Sequence, residues 1–383
     1  MKKLEQNGTI TAFSREDTKV MKGIAVFLML MHHLWTFPNR IYGGELLFRF
    51  WIFGQHATVF FGYFGIVCVP IFFFLGGYGT YLGQKGKRYD LIDKLKKLYI
   101  SYWKVFLVFI PIAFLFFAHQ PAYAEGPEIY ACYSKFTWHE LLSNFLGLSS
   151  SFNREWWFLA SYVTALITFP VVRAAVQNKS LHTNLLFVVI ASILMANIFP
   201  AIGRIDELGG LNNNYLYTRF FCQVSPFISC FWMGIVAAEN DLLGRLRTAM
   251  DKAGVLNPLI DLAIWFGIIY VRQYVAGATL DIFYIPVLCV VSQNLLCHLR
   301  RTRTFFLKLG LESTNMWLIH SFFCYYFLAV VKLVVAPKWA IPSLFMLIAL
   351  TYLASVLLTW FWKEMSILLQ KVRTIAFQKE IAR

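Results

Sequence analysis

The sequence predicts an all-α membrane protein of about ten transmembrane helices, with both termini in the cytoplasm. Three observations lead there. Apolar residues make up 58% of the chain and charged residues only 14%, against roughly half and a quarter in soluble domains. The apolar residues gather in runs of about 20, the length that crosses a hydrocarbon core about 30 Å thick. The basic residues concentrate in alternate connections between those runs.

The first run, near 20–37, reads "MKGIAVFLMLMHHLWTF" from Met21 to Phe37. A polar leader of about 20 residues precedes it and no small-residue cleavage site follows, so it reads as a retained anchor and not a signal peptide. The other runs lie near 57–82, 98–118, 155–176, 182–200, 217–238, 256–272, 279–298, 314–335 and 340–362. With the N terminus inside, the inner connections carry 25 lysines and arginines and the outer ones nine, leaving Lys104 inside a run to snorkel toward the inner surface. The positive-inside rule therefore places both ends in the cytoplasm. The formal net charge of +15 is accounted for by orientation, and nothing in it indicates a nucleic-acid partner.

Two segments lie outside the runs. In the long outer connection 119–154, Thr137 and Glu140 have capping-box spacing ahead of "LLSNFL". This marks either a short helix over the outer mouth or an ordinary surface connection. Residues 363–383 place Met365, Leu368, Leu369, Val372 and Ile375 on one face among lysines and arginines, as in a helix lying on the anionic lipids of the inner leaflet. The organisation is thus one membrane domain over 1–362 and a basic amphipathic cytoplasmic tail over 363–383. The seven cysteines form no CxxC pair, which favours burial as small hydrophobes over a disulfide framework or a metal site.

An ionisable group inside a span marks either a functional position or a packing contact that satisfies it. Lys22 and His33 are eleven residues apart, which on a helix is about 16 Å and only about 20° out of phase, while His32 is turned about 100° away. Lys22 and His33 therefore share a face. Lys22 falls at the inner rim and His33 at or beyond mid-membrane, where a neutral imidazole can take a proton as a general base. The alternative is a histidine hydrogen-bonded between helices.

Over roughly residues 17–335 the chain resembles the acyltransferase 3 family of integral membrane proteins. Lys22 and His33 match that family's Arg, ten residues, His pattern in its first helix. "VPIFFFLGGYGTYL" (Val69 to Leu82) is similar to its "PlFFxLSGyl" stretch, with Gly76 in place of the serine. Lys94 and Lys97 of "KLKK" stand where members carry Arg-x-x-Arg. "REWWFLASYV" (Arg154 to Val163) resembles its Trp-Tyr/Phe-Leu signature, and "LGLESTNMWLIH" (Leu309 to His320) its late "lGxxSyxiYLiH". The resemblance implies transfer of an acyl group, usually acetyl, from cytosolic acetyl-CoA or another acyl-CoA to a hydroxyl of a surface or lipid-linked glycan, in a bacterial cell membrane and without a metal. It implies His33 as base or acyl carrier, Lys22, Lys94 and Lys97 as donor-binding charges, and Glu155, Trp157, Tyr162 and His320 as acceptor-side residues.

The departures bear on the donor. Every arginine of the two basic motifs is lysine here, which keeps charge and loses the bidentate fork. Each assignment has its plainer counterpart: a topogenic cluster for Lys94 and Lys97, an interfacial aromatic belt for Glu155, Trp156 and Trp157, core packing for Tyr162, and a structural or acceptor-orienting role for His320. A rival reading is a non-enzymatic exporter of glycan or lipid, although the sequence has no inverted repeat and no Gly/Pro-interrupted pair of spans of the transporter kind.

Overall fold

The computed structural model describes residues 13–42, 51–120, 132–202, 225–275 and 278–381. Helix α1 (Arg15–Trp35) starts at a capping box in which Ser14 and Asp17 satisfy each other's backbone N–H groups. Asp17 also accepts from Arg303 at 2.8 Å. A 3₁₀ turn (Pro38–Arg40) follows, then a hairpin of β1 (Trp51–Ile52) and β2 (Gln55–His56), with Trp51 opposite His56. The hairpin leads into α2 (Ala57–Phe64), which continues through one 3₁₀ turn into α3 (Cys68–Gln84). Then come α4 (Leu91–Phe116), α5 (Trp138–Phe145), α6 (Trp157–Val176), α7 (Leu181–Ile193), α8 (Phe199–Ile202), α9 (Ser225–Glu239) and α10 (Leu242–Lys252). The chain closes with α11 (Pro258–Tyr274), α12 (Ala278–His298), α13 (Arg300–Leu311), α14 (Ser313–Ser321), α15 (Leu328–Val335) and α16 (Ala340–Ile381).

Every apolar run read from the sequence is helical where it is described; 217–224 and 203–216 lie outside the described residues. Among the described residues, five helical stretches are long and apolar enough to cross a bilayer: Ala57–Gln84, Leu91–Phe116, Arg154–Val176, Thr279–His298 and Ala340–Thr374. A sixth is the pair Ser313–Tyr326 and Leu328–Val335, bent by 88°. Helix α1 falls short in hydropathy because Lys19, Lys22, His32 and His33 dilute it, yet its side chains from Ile24 to Met31 are almost all buried.

Close helix approaches are made by glycine. A methyl at Gly310 would overlap the Lys19 carbonyl, and one at Gly77 the Phe231 carbonyl. These contacts press α13 onto α1 and α9 onto α3, the small-residue packing typical of membrane helices.

Three elements differ from the sequence expectation or sharpen it. The Thr137 cap exists, with its hydroxyl accepting from the Glu140 N–H at 3.2 Å, but α5 does not simply lie over the outer mouth. It descends along α4: Phe136 packs on Phe114, Phe145 stacks on Trp103 at 5.0 Å, and the Tyr99 hydroxyl donates to the Leu146 carbonyl. The span expected at 314–335 is broken, because a π turn (Phe322–Tyr326) ends α14 and Phe327 redirects the chain. Gln120 closes the break, accepting from the Leu328 N–H at 2.7 Å and donating to the Tyr326 carbonyl at 2.8 Å. The last span and the basic tail form one helix of 42 residues, about 63 Å long; through Ile381 no break separates the tail from the span.

Among the described cysteines, Cys68, Cys230, Cys289 and Cys324 are buried and free, Cys132 is partly buried and Cys297 is exposed. Cys222 lies outside the described residues.

Candidate active site

Helix α1 carries Lys22 and His33 up one side of a cavity of about 410 Å³. Leu98 of α4 and Ser313 and Thr314 of α14 join Lys22 among its lining residues, and Phe37 and Arg40 follow His33 beyond the end of α1. The remaining wall comes from α3, where Cys68, Val69, Phe72 and Gly76 follow helical spacing, and from the start of α6, with Glu155, Trp157, Phe158 and Tyr162. Trp317 and His320 of α14 continue the face begun by Ser313. One cavity thus gathers Lys22, His33, Glu155, Trp157, Tyr162 and His320.

Lys94 and Lys97 are not on its wall. Lys97 is exposed and pairs with Asp93 at 2.7 Å, one residue before the lining Leu98. Trp156 also misses the cavity: it is buried in the core with its indole N–H on the Leu318 carbonyl at 3.0 Å. Lys104 is exposed and sits in a separate small pocket with Glu312 and Trp362.

The two neighbouring histidines are bonded differently. His32 also lines the cavity, but its Nδ1 donates to the Gly62 carbonyl at 2.9 Å and ties α1 to α2, the interhelical hydrogen bond that the sequence offered as an alternative for His33. The Tyr325 hydroxyl donates to the His33 carbonyl at 2.8 Å. A hydroxyl has one proton, so the 3.1 Å contact between His33 Nδ1 and the Tyr325 oxygen is donated by the imidazole. That fixes the proton on Nδ1 and leaves the Nε2 lone pair as acceptor. His320 is held the same way: its Nδ1 donates to the Trp317 carbonyl at 2.6 Å, and its buried Nε2 has no partner. The two rings lie 4.7 Å apart, tilted by 51°.

Glu155 is buried at the start of α6, where the Tyr326 hydroxyl donates to its carboxylate at 3.1 Å. The Arg154 N–H donates to that same hydroxyl at 2.9 Å. Asn153 and Ser321 exchange hydrogen bonds at 2.7 and 2.9 Å, tying the start of α6 to the end of α14. Lys22 has no ion-pair partner among the described residues. Tyr162 occupies space that a side chain at Gly76 would claim: a Cβ there would sit 2.6 Å from the tyrosine hydroxyl.

Tyr325, Tyr326 and Trp317 were not singled out in the sequence. Trp317 follows Ser313 and precedes His320 at helical spacing, a signal that was available. The two tyrosines had no such signal, because the π turn takes them out of the register of α14.

A family model described as an acyltransferase domain, that of acyltransferase 3, matches residues 17–361. The chain belongs to the acyltransferase 3 family. It is accordingly a membrane acyltransferase, and the matched segment includes every wall of the cavity. No curated protein matches the chain, and no solved structure does. Membership of the acyltransferase 3 family displaces the exporter reading, since transfer and not passage is what the family model describes.

Proposed function

We propose that this acyltransferase moves an acetyl group from cytosolic acetyl-CoA to a hydroxyl of a surface or lipid-linked glycan, with His33 as the base or the acyl carrier. The observation that supports this most directly is the shared cavity. Its one wall bears the ammonium of Lys22, which has no ion-pair partner among the described residues, and, about 16 Å higher on the same helix face, an imidazole whose tautomer leaves Nε2 free to accept.

In this reading the donor enters from the inner side, and Lys22 contacts its phosphates as a point charge. Lys94 and Lys97, outside the cavity beside Leu98, attract the nucleotide end that remains in the cytosol. The thin pantetheine arm runs up the largely apolar cavity and brings the thioester to His33. On the direct route, His33 Nε2 takes the proton from the acceptor hydroxyl as its oxygen attacks the acyl carbon. On the covalent route, His33 attacks first and the hydroxyl attacks the acyl-imidazole. Trp157 offers the sugar an aromatic face and Glu155 a hydrogen-bond acceptor, with Tyr162 on the wall behind them.

The test compares surface polysaccharide from cells with and without the protein by proton NMR, before and after mild base. The expected result is a normal polymer lacking its base-labile acetyl signals. Loss of the polymer itself would revive export, and unchanged ester signals would remove the glycan as acceptor.

A further inference from the structure

The buried Nε2 of His320 is a lone pair without a donor, an arrangement that leaves a desolvation cost unrepaid unless something fills it. Nothing in the packing of α14 requires it, because the ring is already anchored through Nδ1 on the Trp317 carbonyl. It lines the cavity and its ring lies 4.7 Å from that of His33, centroid to centroid and tilted by 51°, so the rings are neighbours, and a bond between them waits on protonation of His33 and a turn of its ring. Glu155 bonds to Tyr326, and no carboxylate is bonded to either imidazole among the described residues.

We propose that His320 is a second proton carrier of the acyl transfer, receiving the proton that His33 takes from the acceptor hydroxyl and delivering it to the departing thiolate. This rests on the reading of His33 as base in the direct route. In the first step the hydroxyl O–H bond breaks, its proton goes to His33 Nε2, and the oxygen bonds to the acyl carbon. The C–S bond then breaks and the sulfur leaves with the electron pair. The proton passes from His33 Nε2 to His320 Nε2 and on to the sulfur, so both imidazoles end neutral and the products are an ester and a thiol. A lone imidazolium in a dry cavity is costly. A neighbouring lone pair that accepts a charge-assisted hydrogen bond from it lowers that cost.

The experiment uses membrane vesicles from the native host, carrying wild-type or variant protein and incubated with radiolabelled acetyl-CoA. It reads the maximal rate of base-labile acetyl incorporation and the apparent KM for acetyl-CoA. His320→Asn places an amide N–H near the position of Nδ1, keeping the bond to Trp317 while removing the titratable nitrogen. His320→Ala leaves room for added imidazole. The expected result is a fall in maximal rate of about 10²–10⁴-fold in both variants, with little change in KM, normal protein levels, and partial recovery of His320→Ala by imidazole. A near-native rate in His320→Asn would overturn the proposal, and so would a His320→Ala defect that imidazole does not relieve. His33→Ala separates the base from the second carrier. If that variant stays active, the base reading itself falls; if it is inactive while His320→Asn is near native, only the second carrier is removed.

Discussion

His32 and His33 show how one helical step of about 100° separates two roles for the same residue type. His32 bonds to the Gly62 carbonyl and holds α1 against α2, whereas His33 bonds to Tyr325 and keeps a free nitrogen toward the cavity. His33→Ala is therefore expected to lower acetyl incorporation by about 10²–10⁴-fold at unchanged protein level. His32→Ala should retain transfer and lose stability, because the Gly62 carbonyl is left unpaired at a cost of about 1–3 kcal/mol. Incorporation rates and thermal unfolding in detergent, measured side by side, check both; a mild His33 variant beside a dead His32 variant would reverse the assignment. At Lys22 the demand is for charge. Lys22→Arg should keep activity and Lys22→Glu should abolish it by repelling the donor's phosphates, read as the apparent KM for acetyl-CoA.

The break between α14 and α15 is what brings Tyr325 to His33 and Tyr326 to Glu155. A helix interrupted in this way frees backbone groups that must be paired inside the protein, and the two amide contacts of Gln120 serve that purpose. Gln120→Leu should destabilise the fold by about 1–3 kcal/mol and lower activity by loosening both tyrosines; detergent unfolding and acetyl incorporation should fall together. The start of α1 is pinned differently. Burial raises the Asp17 carboxyl, but the hydroxyl and N–H of Ser14 and the guanidinium of Arg303 outweigh it and hold it below the usual carboxylate range. A carboxyl depressed on folding contributes stability above its unfolded pKa, and that contribution fades as pH falls through the folded value. The stability difference between wild type and Asp17→Asn should thus be full at neutral pH and shrink below the ordinary carboxylate range, which unfolding midpoints measured over pH would show.

Across the membrane, the functional proposal depends on which side each end of the cavity faces. The imbalance of 25 basic residues to nine predicts that residues 83–97 and 299–312 are cytoplasmic and that 119–154 starts and ends outside. Impermeant thiol labelling of single cysteines in intact cells is expected to reach the outer connection and spare 83–97. The opposite pattern would invert the donor and acceptor ends.

The all-α membrane class, the helical segments and the face shared by Lys22 and His33 were all legible in the sequence. Each follows from a local property: apolar length, charge placement, or the 3.6-residue period that puts positions eleven apart on one side of a helix. The family resemblance picked out Glu155, Trp157, Tyr162 and His320, and all four line the cavity. Lys94 and Lys97, chosen because they stand where the family carries Arg-x-x-Arg, lie outside it, because a basic residue in an inner connection satisfies the positive-inside rule whether or not it faces a ligand. Both histidines line the cavity, and only the tertiary structure decided which of them also holds two helices together, since that depends on the Gly62 carbonyl beside one and the Tyr325 hydroxyl beside the other. It alone placed Tyr325 and Tyr326, because a π turn breaks the period by which sequence predicts a face. And it alone set His320 beside His33 with an unpaired nitrogen, a juxtaposition of residues far apart in the chain that only helix packing creates.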